Sequence, residues 1–305
     1  MASWLRHPGY VPVRDRLIQH LTGSRYRFRK LDPVIFLCGG KDSNSRNDLR
    51  DYLMKFAPGL DLFYAEPVWE QIARLGELDA LQMEGHLAKL ADLVIIIVES
   101  AGTLTELGAF SLSDPLRRKL LPIVDERYRG DTSFIANGPL KWIDKESDFK
   151  PTIYVGLDII LDAAKQIEDR LKLIPKSKTI KLSDLAESPK HLLFFICDLI
   201  SVIYPATMEM ISYYVEKISP TVFASTINVP TLVGLAVAMN LLRAHTLSTK
   251  SATDTFYSPY QSAAANRPFH HSRLLYLENQ RAAHYWVLTT IPAAMEVMGK
   301  LPNVA

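Results

Sequence analysis

A single carboxylate, Glu106, follows a strand in a setting that favours chemistry on a sugar. Residues 94–98 are apolar and mostly β-branched, which is typical of a buried strand. A turn of small residues comes next, and Gly102-Thr103-Leu104-Thr105-Glu106 begins a helix, so Glu106 is predicted in the first helical turn. Open α/β sheets bind ligands at the carboxyl ends of their strands, so the sequence predicts Glu106 in a ligand-binding crevice.

The chemistry that suits this position is cleavage of an N-glycosidic bond. A carboxylate beneath the anomeric carbon stabilises the oxocarbenium-like sugar, as a nucleophile or as an electrostatic partner. The helix start favours the ionised form of Glu106, Gly102 lets the backbone approach a ribose or phosphate, and Thr103 can donate to a substrate oxygen. A structural interpretation is also open, because Thr103-x-x-Glu106 fits a capping box in which Glu106 accepts from the Thr103 amide.

A second loop is expected at the same edge of the sheet. Residues 34–38 read as the first strand and are followed by Gly39-Gly40 and by a polar loop that includes Asn44. A further acid, Glu84, lies in a helix predicted over 69–90. It is a candidate for the same site, and the alternative is an exposed helix face.

The elements that must position these residues form an α/β pattern. Strands alternate with helices, which predicts a Rossmann-like, doubly wound parallel sheet over residues 33–174. The strands are expected at 34–38, 62–65, 93–98, 120–124 and 153–155.

Helices dominate after a linker at 174–178. A buried helix pair is predicted at 191–204 and 206–218, and a helix at 233–245 precedes a polar, β-branched stretch at 247–257 that suggests a two-stranded wing. A final helix is predicted over 272–297, with a kink at Pro292. Residues 175–305 are therefore predicted to form a mainly helical domain that is like a winged helix-turn-helix, and residues 1–32 a basic N-terminal arm.

Composition narrows the class of protein. The 305 residues are 48% hydrophobic with a net charge of +2, and residues 1–30 carry seven Lys/Arg against one acid.

The sequence contains no stretch that is long and apolar enough to cross a membrane. The apolar run 192–196 is followed by Asp198 and Pro205, and the first thirty residues have no signal-peptide core, so a cytoplasmic protein without a membrane span is expected. Cys38 and Cys197 fit reduced thiols. The histidines lack metal-ligand spacing, so no metal is expected.

The C-terminal half carries residues suited to nucleic acid. Basic side chains can contact phosphates and aromatic rings can stack on bases around the predicted helix and wing. The alternative is an ordinary helical domain with scattered surface charge. The candidate nucleic-acid-binding residues are Arg243, Lys250, Tyr257 and Arg267.

Residues 33–125 resemble the nucleoside 2-deoxyribosyltransferase-like family, through the glycine loop after the first strand and the Gly102-Thr103-x-x-Glu106 motif. The resemblance implies that Glu106 attacks the anomeric carbon. The substrate-binding candidates are Gly39, Gly40, Asn44, Glu84, Ser100, Gly102 and Thr103. Ser100 stands where this family usually has Asp, which favours a leaving group that needs no proton, such as nicotinamide in NAD. Phosphoribohydrolases of the cytokinin-activating type carry a related motif, but this sequence matches theirs less well.

A glycosidase domain joined to a winged-helix-like domain resembles the effectors encoded beside retron reverse transcriptases. The resemblance implies an anti-phage toxin that is restrained by the reverse transcriptase and its multicopy single-stranded DNA/RNA. From the leaving-group argument at Ser100 we expect NAD as its substrate, with no cofactor, and the resemblance to the deoxyribosyltransferase-like family implies an oligomer. Two alternatives stay open: a deoxyribosyltransferase or hydrolase that acts on nucleosides or nucleotides, and a non-catalytic nucleic-acid-binding regulator.

Overall fold

A computed structural model of the chain describes residues 4–23, 26–29, 32–57, 59–64, 90–223, 228–248, 253–260 and 274–301. The chain divides into two compact units. One is Asp32–Ser177, and the other joins Met1–Leu31, which contains helix α1 (Val11–Thr22), to Lys178–Ala305. Residues 69–89 of one predicted helix and the candidates Glu84, Lys250 and Arg267 lie outside the described residues.

The Asp32–Ser177 unit contains a five-stranded parallel sheet, which confirms the α/β prediction for this part of the chain. The strands are β1 (Val34–Cys38), β2 (Asp61–Tyr64), β3 (Leu93–Val98), β4 (Leu120–Asp125) and β5 (Ile153–Val155), in the order β2-β1-β3-β4-β5. Strands β1 and β4 are buried along their whole length, as expected of a parallel sheet with both faces covered. The strand order reverses direction between β1 and β3, and ligands bind at such a switch point.

Five helices of the described part accompany this sheet. They are α2 (Asn44–Phe56), α3 (Ala101–Leu112), α4 (Asp114–Arg117), α5 (Lys141–Glu146) and α6 (Ala164–Leu171). Leu49 and Leu53 of α2 are fully buried in one cluster with Ile35, Leu37 and Ile95 of the sheet. Each such side chain contributes about 1.5–3 kcal/mol by its burial, so α2 and the loop before it are held firmly beside β1.

The second unit is mainly helical. Its other helices are α7 (Pro189–Ile203), α8 (Met208–Ile218), α9 (Val229–Ala238), α10 (Leu274–Leu288) and α11 (Pro292–Lys300). Helix α7 is buried at every position from His191 to Ile200, which confirms the prediction of a buried helix there. Among the residues that the structure describes, no helix is both long and apolar enough to cross a bilayer.

A small antiparallel sheet completes this unit. Its strands are β6 (Ala206–Thr207), β7 (Leu242–Ser248) and β8 (Thr253–Pro259), in the order β6-β8-β7. The predicted hairpin is therefore present and longer than expected, but the predicted helix over 233–245 is wrong in its second half. Helix α9 ends at Ala238, and Asn240 adopts φ 55°, a left-handed conformation that asparagine tolerates better than most residues. The final predicted helix is two helices that separate near the predicted kink, and Pro292 is the first residue of α11.

The N-terminal segment, for which the sequence predicts a basic arm, packs within the second unit. Helix α1 places Val13, Leu17 and Leu21 at intervals of four residues, and all three are buried. Ahead of it, the ring of Trp4 stacks on Phe256 of β8 with 6.0 Å between centroids. The apolar face of the segment therefore decides its packing.

Candidate active site

The turn between β3 and α3 is closed by a capping box three residues earlier than expected. Ser100 Oγ accepts from the Thr103 amide at 3.2 Å, and Thr103 Oγ1 accepts from the Ser100 amide at 2.9 Å. Thr103 is buried, and its hydroxyl donates to the Ser100 carbonyl oxygen at 3.0 Å. The Thr103 hydroxyl therefore donates its proton within the turn, where it stabilises the backbone, and not to a substrate oxygen as predicted.

This cap corrects both interpretations of Glu106 drawn from the sequence. Helix α3 begins at Ala101, so Glu106 is its sixth residue and lies in the second turn. The macrodipole effect falls off within the first turn, so the helix start does not account for an ionised Glu106. Glu106 is also not the capping residue for Thr103, because Ser100 fills that role.

Helix geometry decides which flank of α3 carries Glu106. Thr103, Leu107 and Phe110 are buried and mark one face of the helix. At 100° per residue, Leu104 and Glu106 project about 200° apart, on opposite sides of that face. Leu104 lines a cavity beside β4, so Glu106 lies on the flank nearer β1. Glu106 is half-buried with its Oε2 shielded from solvent. Helix geometry therefore predicts that Glu106 lies on the side of α3 where the strand order reverses.

Glu99 is a site residue that the sequence reasoning missed. If the strand alternation continued through Glu99, its side chain would point away from the site, but β3 ends at Val98 and Glu99 is already in the loop. Its Oε1 accepts a hydrogen bond from the Gly40 amide at 2.7 Å, which links the loop after β3 to the loop after β1. A charge-assisted bond of this length is among the stronger ones in proteins, so Glu99 fixes the two loops across the switch point.

The glycine loop after β1 wraps around Arg46, a second residue that the sequence did not single out. A Cβ at Gly39 would lie 2.7 Å from Arg46 Cδ, so only glycine fits there. The guanidinium of Arg46 is buried, donates to the Lys41 carbonyl oxygen at 2.7 Å and lies 4.3 Å from the Tyr64 ring centroid. Gly39 thus serves the packing of this arginine.

The remaining candidates lie at the same edge of the sheet. Asn44 is the first residue of α2 and is exposed. Gly102 is exposed in the first turn of α3, where a Cβ would meet only Ser100 Oγ at 3.7 Å. Topology therefore groups Gly39, Gly40, Asn44 and Gly102 around the switch point together with Glu106.

A cavity of about 450 Å³ opens on the other flank of α3, at the carboxyl ends of β3 and β4. Its polar lining includes Glu99, Ser100, Asp125, Arg127 and Asp131. Arg127 binds Asp125 with two hydrogen bonds, Nε to Oδ1 at 3.0 Å and Nη2 to Oδ2 at 2.8 Å. The guanidinium therefore holds the pKa of the Asp125 carboxyl below its usual value. Glu106 does not line this cavity.

The candidate nucleic-acid residues that are described do not share one face of the hairpin. Arg243 of β7 pairs with Ser258 of β8, whereas Tyr257 pairs with Ala244. Paired residues point to the same side of a sheet and successive residues alternate, so Arg243 and Tyr257 project to opposite sides. Arg243 lies over the Tyr260 ring, 4.5 Å from its centroid, and Tyr257 is half-buried.

Comparison with known proteins identifies the family of this chain. Residues 43–244 match the family model described as STM3845 retron effector protein, which is about two thirds of the chain. The chain belongs to this retron effector family. The match runs from the cap of α2 through the Glu106 helix and into β7, so it includes strands β2 to β5 of the parallel sheet together with much of the helical unit.

Two Escherichia coli relatives carry names with the same two activities. The “Retron Ec73 putative ribosyltransferase/DNA-binding protein” is 30% identical over an alignment of 234 residues, and the match covers 68% of this chain and 73% of the relative. The “Retron Ec86 putative ribosyltransferase/DNA-binding protein” is 39% identical over an alignment of 137 residues, and the match covers 43% of this chain and 44% of the relative. The chain thus matches less than half of the Ec86 protein's length and nearly three quarters of the Ec73 protein's.

Proposed function

We propose that this retron effector is a toxin that breaks the N-glycosidic bond of NAD and releases nicotinamide, with Glu106 as the catalytic carboxylate. The observation that carries the proposal is a half-buried carboxylate, Glu106, on the helix that follows β3, which is one of the two strands at the switch point. The word ribosyltransferase in the names of both relatives supports the reaction class.

The chemistry follows from the charge of the substrate. In NAD the nicotinamide ring is a cationic pyridinium, and it leaves as a neutral base when the bond between the ring nitrogen and C1′ breaks. The electron pair of that bond goes to the ring, so no acid is needed for departure. Glu106 stabilises the cationic ribose by adding to C1′ or by Coulombic attraction, and water then supplies a hydroxyl to C1′ and releases one proton.

The turn before α3 supports this choice of leaving group. Ser100 stands where an acid serves the departing base in deoxyribosyltransferase-like enzymes, and its hydroxyl is engaged in the cap of α3. A neutral nucleoside, whose base leaves best when protonated, gains nothing from such a residue. This favours NAD over the alternative substrate class, nucleosides that exchange bases.

The test is the NAD content of cells that express the chain. Wild type is expected to deplete NAD and Glu106→Ala to leave it at the level of uninduced cells. Asp162→Asn is the matched control, because Asp162 is an exposed carboxylate of the same unit outside the site. Base exchange on deoxynucleosides with unchanged NAD would instead support the transferase, and equal toxicity of wild type and Glu106→Ala would support a non-catalytic regulator.

We also propose that the second unit binds the reverse transcriptase and its DNA/RNA product, which restrain the toxin. The relatives' names include DNA-binding, and the described hairpin carries Arg243 stacked on Tyr260. Oligomerisation remains a proposal that rests on the resembled enzymes alone. Binding of single-stranded DNA that weakens with salt, as phosphate contacts do, tests the nucleic-acid part of this proposal.

A further inference from the structure

The cavity beside β4 takes no part in the bond-breaking step proposed for Glu106, although it lies next to the same helix. It opens at the carboxyl ends of β3 and β4, within the Asp32–Ser177 unit, on the flank of α3 opposite Glu106. Its volume of about 450 Å³ falls in the range of small-molecule sites. A concave site at this edge of a parallel sheet is where such folds take ligands.

The cavity suits a flat ring. Leu104 of α3 gives it apolar surface from one side, Ile135 and Leu140 of the helical stretch that leads into α5 give more, and Tyr128 also lines it. Tyr128 and Leu104 are 53% and 38% exposed, so both have surface left to cover. A purine ring would bury this surface between the leucine and the tyrosine.

The charge of the lining selects against phosphate. Among the lining residues that the structure describes, the carboxylates of Glu99, Asp125 and Asp131 outnumber the single guanidinium of Arg127, which is already paired with Asp125. Carboxylate oxygens accept hydrogen bonds from the hydroxyls of a ribose, as they do in dinucleotide-binding folds. A neutral nucleoside fits this lining, whereas a terminal phosphate would be repelled.

Glu99 connects the cavity to the Glu106 flank. Glu99 lines the cavity, and its Oε1 accepts from the Gly40 amide at 2.7 Å. The two flanks are separated by one helix, about 10 Å across with its side chains. A dinucleotide carries two nucleosides joined by a flexible pyrophosphate, so each flank can hold one of them.

Building on the proposed NAD cleavage, we propose that this cavity binds the adenosine half of NAD while the nicotinamide ribose lies beside Glu106. The cavity then makes the effector selective for dinucleotides over nicotinamide mononucleotide, which lacks adenosine. It also leaves ADP-ribose, the other product, held by its adenosine end.

The first test is binding of free adenosine to the full chain by calorimetry. Leu104→Trp places a larger ring into the cavity from α3, and Leu112→Trp is the matched control, since Leu112 is 72% exposed on the same helix and does not line the cavity. Saturable binding at or below about 1 mM to wild type and to Leu112→Trp, with loss of at least tenfold in affinity for Leu104→Trp, is expected. Absence of saturable binding to wild type, or equal binding to both variants, overturns the assignment.

The second test compares kcat/KM for NAD with kcat/KM for nicotinamide mononucleotide. The ratio is expected to fall at least about tenfold in Leu104→Trp relative to Leu112→Trp. An unchanged ratio with both substrates cleaved overturns the adenosine site and leaves the proposed glycosidase intact. Adenosine binding that Leu104→Trp abolishes, with neither substrate cleaved, supports the nucleoside site and counts against NAD cleavage.

Discussion

Acidification from pH 7 to pH 5 is expected to destabilise the unit that contains His284. This histidine is fully buried in α10. Its Nδ1 lies 2.8 Å from the Gln280 carbonyl oxygen and must donate to it, so its Nε2 accepts from the Tyr214 hydroxyl at 3.4 Å. The Tyr214 hydroxyl lies 3.2 Å from the Tyr10 hydroxyl, so the network joins α8 and α10 to the residue that precedes α1.

The sign and size of the effect follow from the pKa. Burial lowers the pKa of His284 from 6.5 to about 4. The unfolded chain therefore binds a proton that the folded chain resists, so stability is full above about pH 6.5 and falls as the pH drops towards 4. At pH 5 this one group lowers the free energy of unfolding by about 2 kcal/mol, and below pH 4 by about 3 kcal/mol.

Hydrogen exchange of the α10 amides at both pH values, corrected for the intrinsic exchange rates, reports the stability of this unit. His284→Gln is expected to remove the pH-dependent loss, whereas His7→Gln, at an exposed histidine, leaves it in place. The same loss of protection in wild type and His284→Gln would refute the reasoning. A ring pKa near 6.5 for His284, measured by NMR on the wild-type protein, would refute it independently of any variant.

Further substitutions test other parts of the account. Glu99→Ala is expected to lower kcat/KM for NAD about tenfold or more, while Glu99→Gln keeps most of it, since an amide oxygen still accepts from Gly40; equal loss in both variants contradicts a positioning role. Arg117→Met should lower the free energy of unfolding by about 2–3 kcal/mol in urea denaturation, because buried Arg117 binds Glu146 at 2.8 Å, and a loss below about 0.5 kcal/mol contradicts this. Arg243→Ala should weaken single-stranded DNA binding and reduce its logarithmic salt slope by about 0.7, and an unchanged slope excludes a phosphate contact there.

The parallel sheet was predictable because strands that are buried on both faces have continuously apolar sequences. Residues 94–98 are continuously apolar, and the two strands on either side of them read the same way. The helix that follows was predictable in kind but not in register. Both Ser100 and Thr103 can cap a helix through a residue three positions later, so the sequence allows two helix starts that differ by three residues. Because β3 ends at Val98, the helix begins after the earlier cap, Ser100.

The contacts around the site were not predictable because loop residues make them, and loop side chains do not follow the alternation of a strand. Glu99 reaches Gly40 across 59 residues of sequence, and Arg46 folds back over Gly39 because that position lacks a side chain. The error at 233–245 has a similar cause. Residues 242–248 satisfy their backbone by pairing with β8, a contact that overrides the helical pattern of the preceding residues.

The central claim is tested most directly by nicotinamide release from NAD by the purified chain. Wild type and Asp162→Asn are expected to release nicotinamide at the same rate, and Glu106→Gln at a rate lower by at least about 10², because the amide removes the charge that stabilises the ribosyl cation. Circular dichroism of Glu106→Gln is the control for an unchanged fold. Release by Glu106→Gln at the wild-type rate, or no release by any of the three, would contradict the assignment of Glu106 as the catalytic carboxylate of an NAD-cleaving effector.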